Sequence, residues 1–584
     1  MNIFDGYRKI IETVLDEILE SHTGKPRKSS YSISIEPPRD PKHGDISTNA
    51  ALVVAKNAGI PPRELGQKLI EKLLKFSEVE GAEVAGPGFV NLKLPASIFQ
   101  NQIIAILQSG RSYGTSTLGK KKKINLEFVS ANPTGPMHVG HARGAVIGDV
   151  LANLLEKVGF SVTREFYIND AGAQIDALAR STYFRYLEAC GVNSPSIPKG
   201  FYPGNYLKEV GRDLAARYND SYVLVDEQKW LPHFKNISID AMMELIRTDL
   251  SAIGIKHDVF TSENSIHASN LVEDTVNILQ NENLIYWGVL DPPKGKINGD
   301  WEKREQLLFR STDFGDDVDR ALKKSDQSWT YFAADIAYHL DKFQRGYKDM
   351  INVWGADHKG YIKRMQAATD AISNSKVKLE VKLCNLVNLY KDGAPFRMSK
   401  RAGSFITLRE LLDQVGPDIV RFMMLTRNNE APLDFDMTLA VENSRENPVF
   451  YVQYAHARAC SVIRNSKVVH SGISVDDSSL ASADTTMLKD ESEMALIRTL
   501  AGWPRLLEAA AVAREPHRLA FYLTDVAGKF HALWNKGNEN IQLRFIVADD
   551  EHLTLSRLSL VRATAIVIAS GLQVMGVKPV EEMR

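Results

Sequence analysis

Two histidines open the chemical reading of this chain. His138 and His141 stand three residues apart in FVSANPTGPMHVGHARGAVIGD, so both fall on one face of a first helical turn. A buried strand, INLEFVS, and a loop, ANPTGP, precede them. A helix that starts after such a loop presents N–H groups to phosphate, and two imidazoles add donors. Gly140, Gly144 and Gly148 form a stripe on that helix that would let it approach a sheet closely. The chain carries no glycine-rich P-loop and no HExxH, and no third ligand stands near the pair, so no metal site is expected. A second group lies in KDGAPFRMSKRAGSFITL. Arg397, Lys400 and Arg401 concentrate positive charge suited to a triphosphate, with Ser399 among them, and Gly393 and Gly403 would let the segment move.

The elements that must position these groups follow from periodicity. INLEFVS, the loop, the helix from His138 and the strand SVTREFYI begin a parallel α/β sheet, whose ligands sit at the carboxyl ends of strands. Alternation resumes with LLFRST, a helix around Trp329–Phe343, MINVWG, a helix from His358 and KLCNLVNLY as one strand. Residues 172–300 read as a helix-rich insertion. Ahead of the sheet lies a small α/β unit: a helix from Phe4 to Glu20, a strand SYSISIE, a helix from Ser47 through Ala58, another after Pro61–Pro62, and the strand FVNLKL after the turn GPG. From about Asp413 the chain reads as helical, broken by a Ser/Asp-rich linker near 471–486. The expected domains are residues 1–115, 116–412 and 413–584.

Composition bounds the function classes. The chain has 584 residues, 24% charged and 44% hydrophobic, which excludes wholesale disorder. Three scattered cysteines, Cys190, Cys384 and Cys460, form no CxxC pair, which argues against structural zinc and for a reducing compartment. The N-terminus lacks a signal peptide's apolar centre, and ATAIVIASGL is too short to span a bilayer, so a soluble cytoplasmic protein without membrane contact is expected. Lys+Arg 71 against Asp+Glu 72 excludes binding of nucleic acid by bulk charge, but not recognition of one RNA by shape and local basic patches such as Lys120–Lys123.

HVGH resembles the HIGH signature, and RMSKR the KMSKS signature, of class I aminoacyl-tRNA synthetases. With EFVSANPTGPMHVGHARGAVIGD, REFYINDAGAQI, VWGADHKGYIKRM and FRMSKRAG, the chain is identified as similar to bacterial arginyl-tRNA synthetases over nearly its whole length. The resemblance implies a Rossmann-like catalytic domain, an N-terminal added domain that reads the D-loop corner of tRNA, and an all-α anticodon-binding bundle. It implies a monomer that forms an arginyl-adenylate from L-arginine and ATP with Mg2+ and passes the arginyl group to the 2′-hydroxyl of the terminal adenosine of tRNA(Arg). No structural zinc is implied. The first step needs no general base, because the arginine carboxylate is already ionised; it needs positioning and charge stabilisation.

The same resemblance assigns residues. ATP falls to His138, Gly140, His141, Gly355, Asp357, Met398 and Lys400, with His138, His141, Ser399 and Lys400 catalytic. Tyr331 and Asp335 would hold the guanidinium, and WTYFAADIAYHLDK presents them with His339 on one face at four-residue spacing. Glu127, Ser130 and Asn132 would hold the substrate's polar groups, including its ammonium, and His358 would add a polar contact. Phe89 and Asn91 in GPGFVN would touch tRNA. Tyr451, Tyr454 and Arg458 also stand at helical spacing. The first lysine of KMSKS is Arg397 here, and Thr134–Met137 offer no substitute for the second, Lys400. Three rivals fit less well. A cysteinyl enzyme would need zinc ligands, a smaller nucleotidylyltransferase would not need the long helical C-terminal region, and an inactive homologue would not need all four signature residues.

Overall fold

A computed structural model describes residues 2–24, 32–192, 197–290, 304–396 and 406–583. Its centre is a five-stranded parallel sheet made of β1 (Lys123–Glu127), β2 (Ser161–Ile168), β3 (Val259–Ser262), β4 (Asp349–Gly355) and β5 (Lys378–Cys384). The order is β3-β2-β1-β4-β5. Connections therefore leave β1 and β4 in opposite directions, and a crevice opens where their carboxyl ends part. Helix α1 (Val139–Lys157) returns the chain from β1 to β2, and α2 (Tyr331–Gln344) precedes β4.

Strand β1 is apolar on one face and polar on the other. Ile124 and Leu126 of β1 are buried in the apolar core, whereas Asn125 and Glu127, equally buried, point to the opposite face. Glu127 stands level with Glu165 of β2 and Asn352 of β4, one polar row across three strands. Helix α2 lowers one cation onto each carboxylate of that row: Lys342 Nζ donates to Glu127 at 2.6 Å, and Arg345 Nη2 donates to Glu165 at 2.8 Å. A buried carboxylate without a partner would be costly, and pairing offsets this.

The insertion differs from the expectation. Helices Ala173–Ala189, Tyr206–Tyr218 and Glu227–Ala252 stand outside the sheet, but Val259–Ser262 re-enters it as β3. A four-residue edge strand leaves too short a pattern to read. KLCNLVNLY is also not one strand. It breaks at Asn385–Leu386, and Val387–Lys391 pairs instead with Leu433–Asp436 in a separate sheet. In the N-terminal unit, Ile46–Thr48 is a strand before the helix Ala50–Ala58. An unexpected strand, Gly81–Ala85, forms a hairpin with Phe89–Lys93. The 471–486 stretch contains a short helix, Asp477–Ala481, whose Leu480 is buried and whose Asp477 pairs with Arg562.

The last helix, Glu551–Val574, is long and apolar enough to cross a membrane by length and composition, yet 89% of its apolar stretch is buried inside the protein. Its end is tied to α1. Arg421, fully buried, donates to the carbonyls of Met575 at 2.8 Å and Ile253 at 2.9 Å and pairs with Asp149 of α1. Arg143 of α1, also buried, donates to the carbonyls of Asn385, Asn428 and Ala431. The histidine-bearing helix is thus anchored along its length to the C-terminal half.

Candidate active site

His138 caps α1. Its backbone is extended, its Nδ1 accepts from the Gly140 N–H at 3.1 Å, and its own N–H donates to His141 Nδ1 at 3.3 Å. The rings stack with centroids 3.8 Å apart. Because each Nδ1 accepts from backbone, the proton of each neutral ring resides on Nε2, and each ring can donate from that edge. A backbone bridge joins His138 to Thr407, and Leu408 N–H donates to the Met137 carbonyl at 2.8 Å. The exit of the basic segment is therefore fastened beside the histidines. Met398, Ser399 and Lys400 themselves lie outside the described residues. Of the glycine stripe, Gly148 meets the Phe128 ring so closely that a Cβ would collide, while a Cβ at Gly144 would meet nothing within 4 Å.

Beyond β1 the chain turns through Val129 and Ser130, whose φ values are 70° and 39°. A β-branched residue there is strained, and such strain collects at functional sites. The turn delivers Ser130 Oγ to Glu127 Oε1 at 3.2 Å and lets the same hydroxyl accept from Tyr167 N–H at 3.1 Å. Asn132 is exposed on the loop that follows.

Asp335 is the chemical centre of the other end. It lies one turn into α2, which Thr330 caps, and Tyr361 donates its hydroxyl to Asp335 Oδ2 at 2.6 Å. Burial, reinforced by Glu263 and Glu127, pushes the Asp335 carboxyl up to about 7 despite the Tyr361 bond and the Lys342 charge. Glu263 is also pushed up to about 7, by burial and then by Asp170. Among the described residues no lysine or arginine comes within ion-pair distance of either carboxylate. Tyr361 and Tyr167 are both raised, by burial first and then by Asp335. The arrangement is a negative basin that a cation would complete, and a planar guanidinium meets carboxylates in a bidentate fork.

Tyr331, exposed, stands on the first turn of α2 with Lys324 Nζ 5.3 Å from its ring centre. A Cβ at Gly172, in the loop after β2 and at φ +88°, would come within 3.0 Å of its hydroxyl. Gly355 and Asp357 are exposed at the carboxyl end of β4, and His358, also exposed, lies 3.6 Å from Asp357. His339 turns away from the basin: it is buried, Nδ1–H donates to the Asp335 carbonyl at 2.7 Å, and burial lowers it to about 3, so it is neutral. Far from this crevice, Phe89 is exposed, while Asn91 is buried and donates to Glu83 at 3.2 Å. Tyr454 and Arg458 bond to each other at 2.7 Å on the C-terminal bundle.

Sequence reasoning missed Glu263, Tyr361, Tyr167 and Lys342. Lys342 had a signal, because it stands two helical turns beyond Asp335 on the same helix face. Tyr361 lay unremarked within VWGADHKGYIKRM. Glu263 follows a strand too short to be seen.

A nucleotide-type crevice, a histidine-capped helix at its rim and a helical C-terminal region define a class I aminoacyl-tRNA synthetase. The catalytic-domain model for class I (R) tRNA synthetases matches residues 102–442, the arginyl-tRNA synthetase N-terminal domain matches 6–94, and the DALR anticodon-binding domain matches 452–583. Arginine–tRNA ligases of Parvibaculum lavamentivorans and Ruegeria pomeroyi are 56% and 53% identical to the chain over the full length of both partners. The Thermus thermophilus arginyl-tRNA synthetase structure superposes with a TM-score of 0.72 at 21% identity, covering 99% of this chain and all of that one, a likeness of fold. The chain belongs to the arginyl-tRNA synthetase family.

Proposed function

We propose that the crevice activates L-arginine with MgATP and transfers it to tRNA(Arg), with the residues below in the stated roles. The chain is an arginine–tRNA ligase. The observation that carries the residue roles is the basin of Asp335 and Glu263, two carboxylates poised near neutrality with no lysine or arginine at ion-pair distance among the described residues, His267 Nε2 standing 3.8 Å from Glu263. Asp335, Glu263 and Tyr331 receive the guanidinium. Glu127, Ser130 and Asn132 receive the ammonium end, and His358 adds a polar contact from the far side of β4.

The arginine carboxylate then points toward the histidines. It attacks the α-phosphorus of ATP, and pyrophosphate leaves as His138, His141, Ser399 and Lys400 stabilise the charge that moves onto it. Gly140, Gly355, Asp357 and Met398 complete the nucleotide site. In the second step the 2′-hydroxyl of the terminal adenosine attacks the activated carbonyl and AMP leaves. The domains divide this work as residues 1–115, with Phe89 and Asn91 toward tRNA, 116–412, and 413–584 toward the anticodon. The enzyme acts as a cytoplasmic monomer; three free thiols support a reducing compartment.

ATP–pyrophosphate exchange with each amino acid, with and without tRNA, tests the reading. Exchange is expected with arginine plus tRNA alone. Exchange driven by another amino acid overturns it, and sedimentation as a dimer overturns the monomer.

A further inference from the structure

Arginine carries two cations, so its site must decide which end receives which. At the guanidinium end no lysine or arginine among the described residues pairs with Asp335 or Glu263; the ammonium end is different. There Lys342, fully buried, donates to Glu127 Oε2 at 2.6 Å and lies 4.2 Å from the Tyr338 ring centre. Asn352 Oδ1 accepts from the same ammonium at 3.5 Å.

The contacts continue in one direction. The Asn352 amide donates to His339 Nε2 at 3.1 Å, and His339 Nδ1–H donates to the Asp335 carbonyl at 2.7 Å. Neutral His339 permits only this tautomer, because Nδ1 faces a carbonyl and must hold the proton. A buried chain thus runs from Glu127, through Lys342, Asn352 and His339, to the backbone of Asp335. It sets the separation between the two carboxylates that read arginine's two cations.

We propose that Lys342 is a positioning residue for the ammonium end of the arginine site. It holds the Glu127 carboxylate oriented, and offsets its charge enough that the guanidinium is received at Asp335. The proposal rests on the reading of Glu127 as an ammonium contact.

The charged groups around the pair are few. Asp335, His339 and Arg345 share helix α2 or its C-terminal cap, Glu165 lies beside Glu127 on β2, and Glu263 lies beyond β3. Glu165 accepts from Arg345 and from the Asn125 amide at 2.5 Å, and its carboxyl is held down to about 2 against burial, by the Lys342 charge first and then by Arg345 and Thr261. It therefore stays ionised across the working range while these cations stand beside it. Without Lys342, Glu127 would face Asp335, Glu263 and Glu165 with no cation in contact.

The test compares arginine with 5-guanidinopentanoate, which lacks only the α-amino group, as a competitor in arginine-dependent exchange. Glu127→Gln should raise the arginine KM by ~10-fold or more and leave the analogue's inhibition constant unchanged. Lys342→Met should do the same, and Lys342→Arg should restore part of the loss. Adding Lys342→Met to Glu127→Gln should cost little further, because both charges are then gone. This double variant keeps the test available if Lys342→Met alone does not fold.

If Glu127→Gln weakens both ligands equally, the reading of Glu127 falls. If Glu127→Gln separates them and Lys342→Met does not, or if Lys342→Met costs as much in the Glu127→Gln background as in wild type, the Lys342 proposal falls alone.

Discussion

The two ends of the crevice solve the problem of binding charge by opposite means. The arginine end is made of carboxylates withdrawn from water, so its charge is incomplete until a cation arrives. The histidine end is made of imidazoles whose Nδ1 atoms are tied to backbone, at the rim, beside the anchored exit of a basic segment. On the proposed reading one end selects, because an unmatched buried carboxylate is costly, and the other positions donors for charge that appears only as pyrophosphate leaves. Substitutions at the first should therefore act through arginine binding, and at the second through rate.

The largest effect is expected from Asp335→Asn. It should lower kcat/KM for arginine in pyrophosphate exchange by ~10³-fold, since it removes a desolvated charge partner of the guanidinium. A change below tenfold would erase the distinction between the ends. Lys400→Ala should lower the single-turnover rate of arginylation by at least ~10²-fold with little change in arginine KM. A near-normal rate would remove Lys400 from the mechanism, and a loss confined to KM would make the two ends alike.

Acidity offers a third comparison. Asp335 and Glu263 hold protons up to about pH 7 in the free protein, whereas a guanidinium needs them ionised. Arginine affinity should fall as pH drops through 7, by up to ~10-fold per unit for each carboxylate, with proton release on binding. Calorimetry in buffers of different ionisation enthalpy measures that release, and none at about pH 6.5 would contradict the assignment. Stability should move the other way without ligand. The folded state binds more protons than the unfolded chain between about pH 4 and 7, so these two groups contribute less stability as pH rises through that window. The smallest effect should come from Tyr361→Phe. Losing the bond that lowers Asp335 should shift the affinity midpoint to higher pH and raise arginine KM by ~3- to 10-fold near pH 7. An unmoved midpoint would show that Tyr361 does not set the acidity of this end.

Legibility divided along the same line. The histidine end was readable because its parts are local: a strand, a loop and a capped helix lie within a short stretch, and a cap is a property of adjacent residues. The arginine end was readable only where one helix carries it, as with Tyr331 and Asp335. Glu263, Tyr361 and Tyr167 come from the ends of different elements, and only the sheet order brings them to one basin. The same limit hid β3 and the break in KLCNLVNLY, because pairing partners far along the chain decide which sheet a short strand joins. Of the expected glycine stripe, Gly148 meets Phe128, Gly140 meets the His138 ring and Gly144 meets nothing within 4 Å, since which glycine meets a neighbour depends on the neighbour.

By itself the sequence determined the alternation of strands and helices, the histidine cap, the basic segment and the family to which these belong, because periodicity and motif spacing are local. Only the tertiary structure decided that a helix apolar enough for a membrane is the core of a bundle, that Thr407 is fastened beside His138, and that Lys342 is paired beneath Glu127. Burial and charge balance belong to groups gathered from distant parts of the chain, and they set the acidity of Asp335 and Glu263.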